Sequence, residues 1–293
     1  MKRLLITGAS GFLGWNLCNR AKSEWMVWGT FLSNYVTSGG VTFVRVDLTK
    51  YKEIKGFFQE INPDAVIHAA AAARPDFCEE NRSLSFKINT EAAINVAGLC
   101  ADLEVPCLFT STDLVFDGLN PPYTEQDEPS PICSYGEQKI LAETGMKERY
   151  PQAVICRLPL MFGDPGPAAT NFVIPLLKVL RSGKEVDLFV DEFRTPLSGN
   201  DAAEGVLLAL EVMPEIIHLG GTERISRYEF GILLADIFRI SDAHIRPCFQ
   251  KDFEVIAPRP PDVSLDISQA KAFGFKPKSL RQGLETIRDV IGR

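Results

Sequence analysis

A phenol and an ammonium stand one helical turn apart in Tyr135-Gly136-Glu137-Gln138-Lys139. Residues at this spacing share a helix face, so both side chains can reach one substrate carbonyl and one cofactor. A tyrosine phenol ordinarily titrates at about 10 and is a weak acid at neutrality. An adjacent ammonium stabilises the phenolate and lowers that value. The pair therefore suits proton delivery to a carbonyl oxygen, with Lys139 also able to bond the hydroxyls of a cofactor ribose. Tyr-x-x-x-Lys is commonplace on exposed helices, so its meaning depends on what lies upstream.

Upstream stands Gly8-Ala9-Ser10-Gly11-Phe12-Leu13-Gly14, entered by the apolar run Leu4-Leu5-Ile6 and left by an amphipathic segment over 12–21. The pattern predicts strand, tight turn and helix. A pyrophosphate needs close approach of the backbone and a helix N-terminus whose free N–H groups face its charge, and glycines permit the first. The spacing Gly-x-x-Gly-x-x-Gly differs from the Gly-x-Gly-x-x-Gly of the commonest two-domain dehydrogenases. Between the two motifs lies Thr110-Ser111-Thr112-Asp113, closing a strand. Active-site groups of open α/β sheets gather at strand carboxyl ends. Thr112 is the candidate to steady a carbonyl oxygen there, and Ser111 a supporting hydroxyl.

The elements that must position these groups follow from hydrophobic pattern. Apolar strand-like runs at 4–7, 26–31, 42–46, 65–69, 106–110 and 153–158 alternate with helical patterns near 12–22, 51–61, 81–103 and 134–150. Strands apolar throughout and alternating with helices predict a doubly wound parallel α/β sheet of the Rossmann type. After residue 160 the composition changes at Phe162-Gly163-Asp164-Pro165-Gly166-Pro167. The expected organisation is a dinucleotide-binding domain over 1–160 and a smaller, interleaved substrate lobe over 161–293, with segments near 190–222 returning to the sheet. Within the lobe, helices are expected at 171–182, 200–212 and from 279, and a short strand at 264–267.

Composition narrows the partners. With 293 residues, 45% hydrophobic and 24% charged, the chain has ample core for this architecture. No apolar stretch reaches a spanning length and no leader pattern precedes the first strand, so a cytoplasmic protein without a membrane role is expected. A net charge of −7 disfavours nucleic acid. Seven cysteines without C-x-x-C pairs and three separated histidines predict neither disulfides nor a metal site.

The glycine spacing, His68-Ala69-Ala70-Ala71, the run from Ser111-Thr112-Asp113 to Phe116-Asp117-Gly118 and the Tyr135 to Lys139 segment together resemble the extended short-chain dehydrogenase/reductases. Among these the chain is most similar to the dTDP-4-dehydrorhamnose reductases, over essentially its whole length. The resemblance implies a catalytic triad of Thr112, Tyr135 and Lys139. It implies cofactor contacts from Gly8, Ser10, Gly11, Phe12, Leu13, Gly14, Ala69, Ala70, Ala71, Tyr135 and Lys139, with Asp47 and Leu48 at the adenine. Asp113, Asn171, Arg194 and Arg259 become candidates for a nucleotide-sugar substrate, the arginines because planar donors suit a diphosphate. Asn89 is assigned a structural role. Asp76 and Glu79, which also match a family acidic pair, are sufficiently explained as charges at a helix N-terminus.

The implied activity is NAD(P)H-dependent reduction of a 4-keto nucleotide sugar. Alternatives are an epimerase or dehydratase of the same superfamily, or a regulatory NADP-binding subunit like the β subunit of methionine adenosyltransferase. Leu114 follows Thr112-Asp113 where a dehydratase carries a glutamate, which favours reduction. Thr30 stands where an NAD enzyme presents an acid to the ribose, and no Arg or Lys occurs over 30–34. A modest preference for NADPH, with NADH also used, is the expectation. No metal is expected, and a homodimer is the candidate assembly.

Overall fold

The computed structural model describes residues 1–291. Its centre is a seven-stranded parallel sheet formed by β1 (Arg3–Thr7), β2 (Met26–Phe31), β3 (Val41–Arg45), β4 (Ala65–His68), β5 (Cys107–Thr112), β6 (Val154–Leu158) and a last strand, Ile216–His218. The spatial order is β3, β2, β1, β4, β5, β6 and then Ile216–His218. The order reverses between β1 and β4, and their carboxyl ends diverge there into a crevice. Every residue of β4, β5 and β6 is buried, as expected of strands covered on both faces.

On one face, α1 (Phe12–Ala21) packs with the helix Gly199–Val212, interleaving Leu13 and Leu17 with Ala202, Ala203 and Val206. On the other face, α2 (Tyr51–Ile61), α5 (Ala92–Leu103) and α6 (Ser134–Arg149) bury Phe57, Phe58, Val96 and Ala142. Before α5 come two short helices, α3 (Pro75–Glu80) and α4 (Arg82–Phe86). The lobe has its own core around Phe162, Leu177, Phe230, Leu234 and Leu284.

Two expectations require correction. The helix expected over 81–103 is interrupted at Lys87–Glu91 by a wider turn with i→i+5 bonding, the kind of bulge that helices use to turn a functional side chain inward. Here that side chain is Asn89, which is buried. The strand expected at 264–267 is an extended segment with a single bridge, Leu265 to Tyr123. A strand pair and a helix of the lobe escape the sequence reading. Val186–Phe189 pairs in parallel with Ile245–Cys248, and Arg227–Ile237 is a helix. That helix is opened by a reciprocal capping box between Ser226 and Glu229, a Ser-x-x-Glu signature visible in the sequence.

Candidate functional site

The turn after β1 meets the physical demands of a dinucleotide. Gly8 has φ +67°, and a Cβ there would lie 2.6 Å from the Ala70 Cα. A Cβ at Gly14 would collide with the Gly8 carbonyl, so this glycine lets the first turn of α1 sit down on the strand it leaves. Gly11 is the N-cap of α1 and makes no side-chain cap, leaving the first-turn N–H groups of Phe12, Leu13 and Gly14 for an external anion. A cavity of about 300 Å³ opens beside Gly11, at the start of the helix. Gly8, Ser10, Gly11, Asp47, Leu48, Ala69, Ala70 and Ala71 all line it. Of the other expected contacts, Phe12, Leu13, Gly14, Tyr135 and Lys139 do not, and Leu13 is packed in the core behind. Sequence reasoning missed Phe31, Leu32, Ser33 and Asn34 on the second strand's side, and Ala72 and Ile88 opposite. The small side chains and uncapped helix end fit a dinucleotide.

The catalytic candidates converge at the end of β5. Thr112 is its last residue, and its hydroxyl accepts the Leu114 N–H at 3.2 Å while donating to Asp113 Oδ1 at 3.1 Å. It therefore caps the short turn Asp113–Val115 as well as facing the phenol of Tyr135. Tyr135 and Lys139 are 8% and 1% exposed, on the inner face of α6. Lys139 Nζ donates to the Thr110 carbonyl at 2.6 Å and lies 3.8 Å from the centre of the Phe109 ring.

The electrostatics differ from expectation. Burial raises the Tyr135 phenol above its ordinary value, with Cys78, Asp113 and Cys133 adding to it, while a hydrogen bond with Thr112 opposes the rise. Burial pushes the Lys139 ammonium down to about 7, against the pull of Glu143. Desolvation of the pair thus outweighs the mutual tuning that the sequence suggests.

Supporting residues fix these groups. Tyr135, Lys139 and Glu143 follow at successive turns of α6, and Glu143 accepts a short hydrogen bond from Ser111. Arg157 closes on Glu143 with Nη2 to Oε2 at 2.8 Å, and its Nη1 approaches His218 Nε2 at 3.4 Å. His218 Nδ1 in turn meets the Tyr123 carbonyl. Asn89 accepts the Ala72 N–H at 2.8 Å and donates to Gln138 Oε1 at 2.8 Å, joining the alanine loop of the cavity to α6. Glu79 holds the N-terminus of α6 through the Ser134 N–H and hydroxyl, both at 2.7 Å. The helix terminus that Glu79 serves is therefore α6, distant in sequence from its own helix. Asp76 accepts the Ala257 N–H, tying α3 to the lobe.

The expected substrate residues are less uniform. Asp113 is buried, its Oδ2 has no hydrogen-bond partner among the described residues, and burial pushes its carboxyl up to about 6 against the pull of Arg194, 3.6 Å away. Arg194 is itself buried, donating to the Phe193 and Pro260 carbonyls, and Glu192 stands 3.5 Å from it. Asn171 caps the helix Val173–Arg181 through the N–H groups of Val173 and Ile174. Only Arg259 of the four lines the lobe's cavity of about 230 Å³, which it shares with Phe172, Leu188, Glu192 and Arg227. Arg227, which sequence reasoning missed, bonds Glu192 at 2.8 Å. Its signal was its place in the first turn of the Ser226-capped helix.

The family model described as the RmlD substrate binding domain matches residues 1–291. The chain belongs to that family. RmlD-type folds recur among solved structures. A dTDP-4-dehydrorhamnose reductase from Clostridium acetobutylicum is 27% identical with a TM-score of 0.88, over 99% of this chain and 100% of that one. A dTDP-4-dehydrorhamnose reductase from Bacillus anthracis in complex with NADP is 25% identical with a TM-score of 0.85, over 100% and 99% of the two chains. Among curated relatives, the methionine adenosyltransferase 2 subunit beta of Xenopus laevis is 31% identical over 94% of this chain and 83% of its own length. These RmlD likenesses support an NAD(P)-dependent oxidoreductase of the extended short-chain dehydrogenase/reductase type. Among the described residues, no helix is long and apolar enough to cross a membrane, and no cluster of residues is arranged to hold a metal.

Proposed function

We propose that the protein is an NADPH-preferring reductase of a 4-keto nucleotide sugar, of the dTDP-4-dehydrorhamnose reductase kind. The observation that carries this reading is the Tyr135–Lys139 pair buried on α6 against the end of β5, on the same sheet whose β1 ends in a glycine turn fitted to a dinucleotide. A bound nicotinamide supplies the hydride. Tyr135 gives its proton to the carbonyl oxygen, and Thr112 orients that oxygen by hydrogen bonding. Lys139, one helical turn beyond Tyr135, is held by the Thr110 carbonyl at the base of the site, where it supports the phenol and the cofactor ribose. Asp113 and Arg194 line up behind Thr112, and Arg259 with Arg227 offers cations for the substrate's phosphates.

The reading divides the protein into a sheet domain over 1–160 and a substrate lobe built mainly from 161–293, with the stretch near 190–222 shared between them. The purified protein should oxidise NADPH when given dTDP-4-dehydrorhamnose or another 4-keto nucleotide sugar. A second reading, a regulatory dinucleotide-binding subunit, draws on the likeness to the Xenopus laevis subunit. Cofactor binding without turnover of any keto sugar, together with capture of a methionine adenosyltransferase catalytic subunit, would select it.

A further inference from the structure

We propose that Arg45, at the end of β3, is the cation that grips the 2′-phosphate of NADP and sets the cofactor preference that β2 leaves open. The inference rests on the dinucleotide reading given above. In doubly wound sheets the adenosine ribose meets the carboxyl end of β2, where an acid bonds a 2′-hydroxyl or a nearby arginine accommodates a 2′-phosphate. Thr30 at that place is buried, and its carbonyl is already taken by the Ala9 N–H at 2.8 Å. The next residues, Leu32, Ser33 and Asn34, line the cavity without charge. A reading confined to that stretch finds no clamp.

Strand register supplies one from outside it. The β2–β3 pairing sets Arg45 beside Phe31, and Arg45 Nε donates to the Leu32 carbonyl at 2.9 Å. Phe31 to Asn34 form one wall of the cavity, while Val46 and Asp47, immediately after Arg45, form another. Arg45 itself is not a lining residue; its bond to the Leu32 carbonyl holds the guanidinium just outside the cavity, against the wall that Leu32 forms. A single N–H is spent on Leu32. The terminal nitrogens make no hydrogen bond or ion pair with any described residue, which leaves a planar fork for a phosphate. Lys50, nearby, is engaged by both Asp47 and Glu53. Arg45 is exposed, so its grip will weaken with salt. Anchoring to Leu32 partly fixes the side chain before the ligand arrives, which reduces the rotamer entropy lost on binding.

Calorimetric titration of the whole protein with NADPH and NADH, in the wild type, Arg45→Ala and Arg45→Lys, tests the assignment. A charge-assisted contact of this kind corresponds to about ten-fold to a hundred-fold in affinity. Arg45→Ala should lose about ten-fold or more toward NADPH and change toward NADH by less than about two-fold, and Arg45→Lys should recover part of the loss. Adenosine 2′,5′-bisphosphate against AMP should show the same contrast, isolating the 2′-phosphate from the nicotinamide. If NADH binding is intact and Arg45→Ala binds NADPH as the wild type does, the Arg45 assignment is wrong and the dinucleotide reading stands. Equal losses toward both cofactors would also overturn the assignment. Failure of the wild type to bind either cofactor would overturn the dinucleotide reading and this inference with it.

Discussion

Replacing Lys139 with methionine should stabilise the protein at neutral pH and flatten a pH dependence that the wild type carries. Burial pushes this ammonium down to about 7, whereas in the unfolded chain it titrates at about 10.4. Between those values the unfolded chain holds a proton that the folded protein has shed, so stability rises with pH across the window. The penalty is complete below the folded value. Its full size is on the order of 4 kcal/mol, from a shift of about three units at about 1.4 kcal/mol each. Methionine keeps the length and apolar contacts of the side chain but orphans the Thr110 carbonyl, which costs about 1–3 kcal/mol. The net gain at pH 7 is therefore about 1–3 kcal/mol, and the pH slope is the cleaner measure because the carbonyl term does not enter it. From pH 7 to pH 8.5 the Lys139 contribution to wild-type stability should rise by about 1.5 kcal/mol, allowing for half-ionisation at the lower end. Urea unfolding of both proteins at the two pH values, without added cofactor, measures this. Buried thiols such as Cys18, pushed up to about 12, are common to both and cancel in the difference. Parallel responses of wild type and Lys139→Met would refute a strongly desolvated ammonium at this position.

Tyr135→Phe should lower turnover about a hundred-fold or more while leaving cofactor affinity nearly unchanged, measured by steady-state rates beside a binding titration. Glu143→Gln strands Arg157 in the core and should cost about 3–5 kcal/mol in chemical denaturation, with Glu143→Leu/Arg157→Met recovering much of it. Acidification should destabilise the fold below about pH 6.5, the ordinary imidazole value. Burial pushes His68 and His218 down to about 3, so the unfolded chain takes up protons that the folded one refuses, and a fold equally stable at pH 6.5 and pH 4.5 would contradict their desolvation. Arg259→Ala should raise KM for the nucleotide sugar more than it lowers kcat. A pure kcat effect would place Arg259 away from the ground-state substrate.

The sheet was legible because its strands are apolar throughout and its helices periodic; β2 and α2 fall at the residues expected from pattern alone. The glycine turn and the Tyr135–Lys139 pair were legible because their spacing carries a physical demand. What pattern could not show depends on neighbours remote in the chain. The bulge at Lys87–Glu91 exists because Asn89 has partners at Ala72 and Gln138, and no local propensity announces those contacts. Arg194 reads as a phosphate ligand from sequence, and only the fold shows Asp113 and the Pro260 carbonyl already beside it. The direction of the Tyr135 shift was missed for a related reason. Helical spacing reveals which charges share a face, but the dominant influence is depth of burial, which is set by everything packed around the helix.

The polar chain running from Ser111 through Glu143, Arg157 and His218 to the Tyr123 carbonyl also has a meaning for how the protein is made. It crosses the sheet from the carboxyl end of β5 to the strand Ile216–His218, which is synthesised long after β6 and completes the edge beside it. Until that strand leaves the ribosome, Arg157 and its neighbours face solvent on an unpaired edge, and the helix Gly199–Val212 is not yet present to cover α1. The dinucleotide half is thus contiguous in space but not in the order of translation. A nascent chain stopped at residue 160 would display an open parallel edge and an uncovered apolar face, both invitations to aggregation. Acquisition of the cofactor site should accordingly be a late event in biosynthesis, and dissection of this protein into expressible halves should fail at that boundary.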